Sequence, residues 1–436
     1  MKYIVGLLLL AISVSCINSY VVPEDACYRK RVSVGFSTAV PLPDLPSTKA
    51  VADDVTINDY AVWVFSDGKF VEAIYKSDKY TEDAVEHNMV TLKSNGDMFI
   101  MLPDGLRNVT LAMVANMPDL KGIEPSVGAD INAVNAEFVY SAVTYMPMYG
   151  VNNEQFNVAP GAYGGVIVLR RAMARIEVDA SKAEDHFTLQ KMYVYYPNYK
   201  GTLKEIDVIA NEVNTGTISG NVSGNKGYVY LTEINISTQT ASQKSCIILE
   251  GLYKGAKTYY KLDFIGQTSN TGSRDIQYYY VDNISRNFRY VFDIQYLTAG
   301  TGYSQLTDAL SNPASNIVPE GNINLIRVYD QEIKDITTNN YIYLGVTSSQ
   351  LQTTAGVQYH VANLSIVTNS ERGWKFESES LPEGVHLSIN EHVPQEAGEV
   401  VSVWVYLDKT KYSSGDSVTL YVYGENIRKS VTITVS

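Results

Sequence analysis

Apolar residues recur at every second position in segment after segment of this chain. Val401, Val403, Val405 and Leu407 do so; so do Val418, Leu420 and Val422, and again Val431, Ile433 and Val435. Tyr290, Phe292, Ile294 and Tyr296 repeat the pattern, as do Val32, Val34 and Phe36 near the start. A period of two places alternate side chains on one face of a pleated strand, a spacing no helix can keep on one side. The run Tyr60-Ala61-Val62-Trp63-Val64-Phe65 is apolar on both faces, as a central strand must be. Ser66-Asp67-Gly68 then turns it into a second strand, a hairpin signal. With 33 tyrosines, 30 glycines and only 19% charged residues, the composition also favours strands and turns. The fold class expected is all-β.

The 436 residues suffice for several domains, each with its own core. Residues 1–15 read as a signal peptide: Lys2 precedes the apolar run 4–12, too short to span a bilayer. Ser13-Val14-Ser15-Cys16 resembles a bacterial lipobox, which makes Cys16 a candidate for acylation; the alternative is an ordinary signal peptide with Cys16 incidental. After the alternating segment 32–37, Pro41, Pro43 and Pro46 forbid helix and leave an extended loop that ends in Lys49. Such a loop is where proteolytic nicking concentrates. The first β-sandwich is expected over 50–168 and the second over 169–297. The Gly-, Ser-, Thr- and Asn-rich stretch 298–321 reads as a linker. Residues 322–436 have the size and patterning of an immunoglobulin-like sandwich.

A net charge of −13 argues against nucleic acid as a partner. Of the three cysteines, Cys16 is the lipidation candidate, and a cut after Lys49 would also remove Cys27, leaving Cys246 without a disulfide partner. His87, His186, His360, His386 and His392 form no zinc-hydrolase motif; the six-residue spacing of His386 and His392 would put both on one strand face, but with no third ligand nearby. No nucleophile elbow or phosphate-binding glycine loop is present. The expectation is a non-enzymatic chain without metal or other cofactor. Tyr193, Tyr195, Tyr196 and Tyr278-Tyr279-Tyr280 are read either as a sugar-stacking face or, as the favoured reading, as sandwich packing and edge cover.

Four stretches together resemble the fimbrillin family of Bacteroidales, the lipoprotein-derived pilins. They are the lipobox-like Cys16; Lys49-Ala50 leading to the strand at 57–65; Met146-Pro147-Met148-Tyr149-Gly150 followed by Arg171-Ala172-Met173-Ala174-Arg175-Ile176-Glu177-Val178; and Ser285-Arg286-Asn287-Phe288-Arg289-Tyr290. The resemblance implies that the two N-terminal sandwiches are transthyretin-like. It implies export as an outer-membrane lipoprotein anchored by acyl chains such as palmitate. A trypsin-like protease would then cut after Lys49, or alternatively Arg31, in place of the family's usual arginine. The segment 16–49 would be a lipidated pro-segment whose strand, with Val32, Val34 and Phe36, is removed. Another fimbrial subunit would refill the groove by strand exchange, yielding an extracellular fimbrium.

The extra C-terminal domain suggests a tip or minor subunit with a candidate adhesive module, for a glycan or protein ligand on a host or bacterial surface. The alternatives are a stalk pilin and a non-polymerising outer-membrane lipoprotein that binds glycan.

Overall fold

A computed structural model describes residues 29–38, 57–76, 89–92, 97–140, 145–204, 216–269, 276–317, 322–329, 333, 335–339, 342–356, 358–377, 381–395 and 399–436. The chain is all-β and divides into two compact units.

The first unit holds β1 (Arg29–Thr38), β2 (Tyr60–Ser66), β3 (Lys69–Lys76), β4 (Val90–Leu92), β5 (Asp97–Pro103) and β6 (Thr110–Ala115). After β7 (Glu137–Val139), which belongs to the second unit, come β8 (Met148–Val151) and β9 (Tyr163–Arg171). Their order is β3-β2-β6-β8-β9-β1-β5-β4. The hairpin expected at Ser66-Asp67-Gly68 is present, with Asp67 and Gly68 at φ 49° and 75°. Two positive φ values give the turn a twist that matches the flanking strands. Strand β2 runs between β3 and β6 with Tyr60 to Phe65 all buried, as its two-faced apolar sequence requires.

The second unit begins with a two-sheet sandwich. Its strands are β10 (Ala174–Asp179), β11 (Phe187–Tyr195), β12 (Lys200–Thr202), β13 (Thr217–Ser219), β14 (Asn221–Ser223), β15 (Lys226–Leu231), β16 (Ile234–Asn235), β17 (Cys246–Tyr253) and β18 (Ala256–Asp263). It continues through β19 (Ile265–Ser269), β20 (Ile276–Tyr280), β21 (Asn283–Ile284), β22 (Phe288–Tyr296) and β23 (Asn322–Tyr329). The sheets β14-β15-β10-β22-β23 and β13-β11-β17-β18 enclose one core, with Ile176, Val194, Leu249, Tyr260 and Phe292 at its centre.

Two sequence expectations fail here. Residues 322–329, expected to open the last domain, form β23, the edge strand beside β22. Ile323 and Leu325 point into the second sandwich's core, and alternation alone could not say which core they serve. The stretch 298–321 is not a free linker over its described part. It carries the helix Leu306–Ser311 between two short 3-10 turns, and Ala309 is buried against Ile248 and Tyr259. Ser315 donates to the Thr301 carbonyl at 2.7 Å, and Asn316 accepts from the Asp263 amide at 3.0 Å. Small polar residues that suggest flexibility in sequence here close turns and satisfy a strand edge.

The C-terminal sandwich comprises β24 (Asp335–Asn339), β25 (Ile342–Val346), β26 (Gln350–Gln352), β27 (Thr354–Ala355), β28 (Tyr359–Thr368), β29 (Trp374–Phe376) and β30 (Val385–Leu387). It ends with β31 (Glu391–His392), β32 (Val400–Asp408), β33 (Ser417–Gly424) and β34 (Ile427–Thr434). One sheet runs β24-β25-β28-β32-β30, with β27 also paired to β28, and the other runs β26-β34-β33-β29-β31. The alternating valines of β32, β33 and β34 meet in its core with Trp374 and Phe376.

Candidate strand-exchange site

The strand that the family resemblance would make removable is an interior strand of the first unit. β1 pairs antiparallel with β5, from Arg29 opposite Pro103 to Gly35 opposite Asp97. On its other side it pairs parallel with β9, from Gly35 opposite Val166 to Thr38 opposite Leu169. Near the start of that edge the Ser33 amide reaches the Ala162 carbonyl at 3.1 Å. Val32 and Val34 are 0% and 1% exposed, and across the ladder they face Ile100 and Met98, both fully buried. Burying each valine contributes roughly 1.5–3 kcal/mol. Loss of β1 would therefore uncover apolar side chains and strip β5 and β9 of one ladder partner each. Phe36 lies on the same strand opposite Ile167; its side chain is outside the described residues.

The strand opens with three consecutive cations, and each has a partner. Arg29 holds Glu72 of β3 with two parallel bonds, 2.9 and 2.7 Å, and donates to the Met101 carbonyl at 3.1 Å. Such a forked pair is geometrically selective. Lys30 lies 3.4 Å from Asp104 at the end of β5. The Arg31 guanidinium sits 4.0 Å over the Phe99 ring. None of these contacts was foreseen from the sequence, although the basic run ahead of the alternation was a visible signal.

Glycine shapes both sides of the strand. A Cβ on Gly35 would lie 2.9 Å from the Val166 Cγ2 and the Tyr163 hydroxyl. On β9, a Cβ on Gly164 would come within 3.1 Å of the Val34 Cγ2, so Val34 rests directly on that glycine. Cys16 and Lys49 lie outside the described residues. Arg31, the alternative processing residue, lies inside β1 opposite Met101.

The other sequence candidates do not gather into a site. His386 is on β30 and His392 on β31, strands of opposite sheets, so their spacing does not bring them to one face. His392 instead meets Glu399 at 3.1 Å. Tyr193 and Tyr195 are partly buried and pack against the cluster of Ile248, Tyr259 and Ala309, the last on the helix Leu306–Ser311. Tyr278 and Tyr280 are exposed on the β19–β20 ribbon. Cys246 is buried on β17, and burial pushes its thiol up to about 12.

The chain matches no family model and no curated protein. Among solved structures, it resembles the tip fimbrial protein of Porphyromonas gingivalis, solved with a C-terminal truncation. The two are 16% identical with a TM-score of 0.41, over 62% of this chain and 96% of that one. A fimbrial assembly protein from Parabacteroides distasonis is 14% identical with a TM-score of 0.35, over 63% and 93%. A proposed cell adhesion protein from the same species is 15% identical with a TM-score of 0.38, over 69% and 96%. These neighbours are Bacteroidales fimbrial and adhesion proteins. At such identities and scores the case for function rests on the geometry of β1.

Proposed function

We propose that this chain is a fimbrial subunit, of the tip or minor type, activated by loss of β1. It would be exported as a lipoprotein on Cys16, cut after Lys49 by a trypsin-like protease, and joined to a second subunit whose strand refills the slot. One observation carries the reading. The only described strand N-terminal to residue 57 is interior, flanked by β5 and β9, while the chain following it is the proline-broken segment that ends at Lys49. One cut there severs every covalent link between β1 and the strands it pairs with. A cut after Arg31 would split the strand and leave Val32 and Val34 in the sheet. Lys49 is therefore the processing residue in this reading.

The tip assignment draws on the C-terminal sandwich. β34 is held between β26 and β33, with Val431 and Ile433 fully buried. Donating it to a neighbour would dismantle the C-terminal sandwich, so in this reading β34 stays in its own sheet.

The test is the intact mass and N-terminal residue of the protein recovered from the cell surface. The proposal expects a chain starting at Ala50 without lipid. A chain that keeps acylated Cys16 would make it a tethered surface lipoprotein.

A further inference from the structure

We propose that the slot left by β1 is selective and that its occupant is a strand of a second protein with a definite residue pattern. That strand carries a cation at the place of Arg29, β-branched residues at the places of Val32 and Val34, and glycine at the place of Gly35. The inference rests on the strand-removal reading above and adds to it the chemistry of the partner.

The acceptor groups stay behind when β1 goes. Glu72 keeps its carboxylate on β3, where Arg29 holds it in a forked pair with both side chains mostly buried. Without a cation opposite, that carboxylate would face an apolar strand, which is unfavourable. Asp104 and the Phe99 ring form a second and third cation-accepting place along the same edge. Beneath Val34 lies Gly164, where a Cβ would come within 3.1 Å of the Val34 Cγ2, so the branched side chain uses the space that glycine leaves. Beside Gly35, the Tyr163 side chain is exposed and can swing away, but Val166 is fixed by the β9 backbone. A residue larger than glycine at that place meets Val166.

One segment of this chain comes close to the pattern, and it identifies what the slot rejects. Arg428-Lys429-Ser430-Val431-Thr432-Ile433 aligns with Arg29-Lys30-Arg31-Val32-Ser33-Val34, matching the first two cations and both valine places with branched residues but putting Ser430 where β1 has Arg31. The next position is Thr434 where β1 has Gly35. Lys429 is moreover buried in its own sandwich, 2.6 Å from Asp335. The partner is therefore a different protein rather than a second copy offering β34.

The experiment uses the full chain with a specific protease site replacing residues 47–49, cut so that β1 remains bound without a covalent link. Four peptides compete for the slot, read by native mass spectrometry of the bound strand. They are the 29–38 sequence, its Arg29→Glu and Gly35→Val variants, and the 427–436 sequence. The first is expected to exchange in. The two variants should bind at least about tenfold more weakly, in line with loss of the forked pair to Glu72 or of a close-packed fit. The 427–436 peptide should also be at least about tenfold weaker. A Glu72→Arg chain should reverse the charge preference and favour the Arg29→Glu peptide, an outcome no folding defect produces. Equal entry of all four peptides overturns the selectivity while leaving strand removal standing. If β1 never leaves the cut chain and no peptide enters, strand removal itself fails and takes the selectivity with it.

Discussion

β1 and β34 are similar strands in two settings. Each carries an Arg-Lys pair near its start and then alternates branched apolar residues, and each sits between one parallel and one antiparallel neighbour. Pairing and burial do not distinguish them: Val32 and Val431 are both 0% exposed. Connectivity does. β34 is joined to its antiparallel partner β33 by a tight turn at Glu425, whose φ is 49°. The antiparallel partner of β1, β5, begins at Asp97 and its parallel partner β9 at Tyr163, both far along the chain. A strand held by a local hairpin reforms its ladder each time it opens, because the loop to be closed is short. A strand held only across distant sequence has no local loop to bring it back once its single connection is cut and it leaves.

Several substitutions would break or sharpen this comparison. The largest effect should come from Val32→Asp and Val431→Asp, each placing an unpaired carboxylate in a fully buried position. Each should destabilise its own domain by more than about 3 kcal/mol in urea unfolding. A marked inequality between them would mean that the two ladders are not equivalent. Val34→Ala should cost about 2 kcal/mol through lost burial and the gap left above Gly164.

Arg29→Ala and Lys429→Ala come next, at about 1–2 kcal/mol each. The partners Glu72 and Asp335 differ in exposure, 23% against 37%, so the loss at Arg29 should be the greater. Thermal melts of the two variants would rank them.

The smallest effect separates the second sandwich from both other domains. Burial pushes the Cys246 thiol from 9.0 up to about 12. In the unfolded chain it ionises from about pH 9, while the folded chain keeps it protonated. The folded state thus holds more protons in this window, and stability falls as pH rises from 9 towards 12, by about 1 kcal/mol between pH 9 and 10. A Cys246→Ala chain should lose that part of the slope. The same burial predicts slow alkylation of Cys246 in the native protein and fast alkylation in urea.

Much of the fold is legible in the sequence because period-two alternation is a local signal. It marks β1, β22, β32, β33 and β34 and the two-faced β2 without knowledge of their partners. It fails at 322–329, where the strand is legible but its sheet is not, since pairing with β22 is a long-range fact. It fails again at 298–317, where Ser, Thr and Asn that suggest a linker are satisfied by specific carbonyls and amides.

The stretch 285–290 shows the same limit. Arg286 is buried, with its Nε 2.9 Å from Glu233 and its terminal nitrogens on the carbonyls of Leu203 at 2.8 Å and Thr202 at 2.9 Å. Asn287 takes φ 61° and accepts from the Arg171 amide at 2.8 Å. Tyr290 donates to the Asn283 carbonyl at 3.1 Å. The motif can be read as distinctive, but its role as a structural clamp depends on Glu233, which no spacing rule connects to it. At the candidate site, Val32 and Val34 were legible from alternation. Glu72, Phe99 and Gly164 were not, because they come from three other strands or strand ends.

The most direct measurement is amide hydrogen exchange on the full chain before and after a specific cut within residues 39–49. Before the cut, β1, β5 and β9 should all be protected. After the cut and dilution, β1 should leave, and the amides of β5 and β9 that faced it should exchange fast, while those of β33 and β34 keep their protection. If β5 and β9 stay as protected as before, β1 is not a releasable strand, and the account of this chain as an acceptor for a partner's strand is wrong.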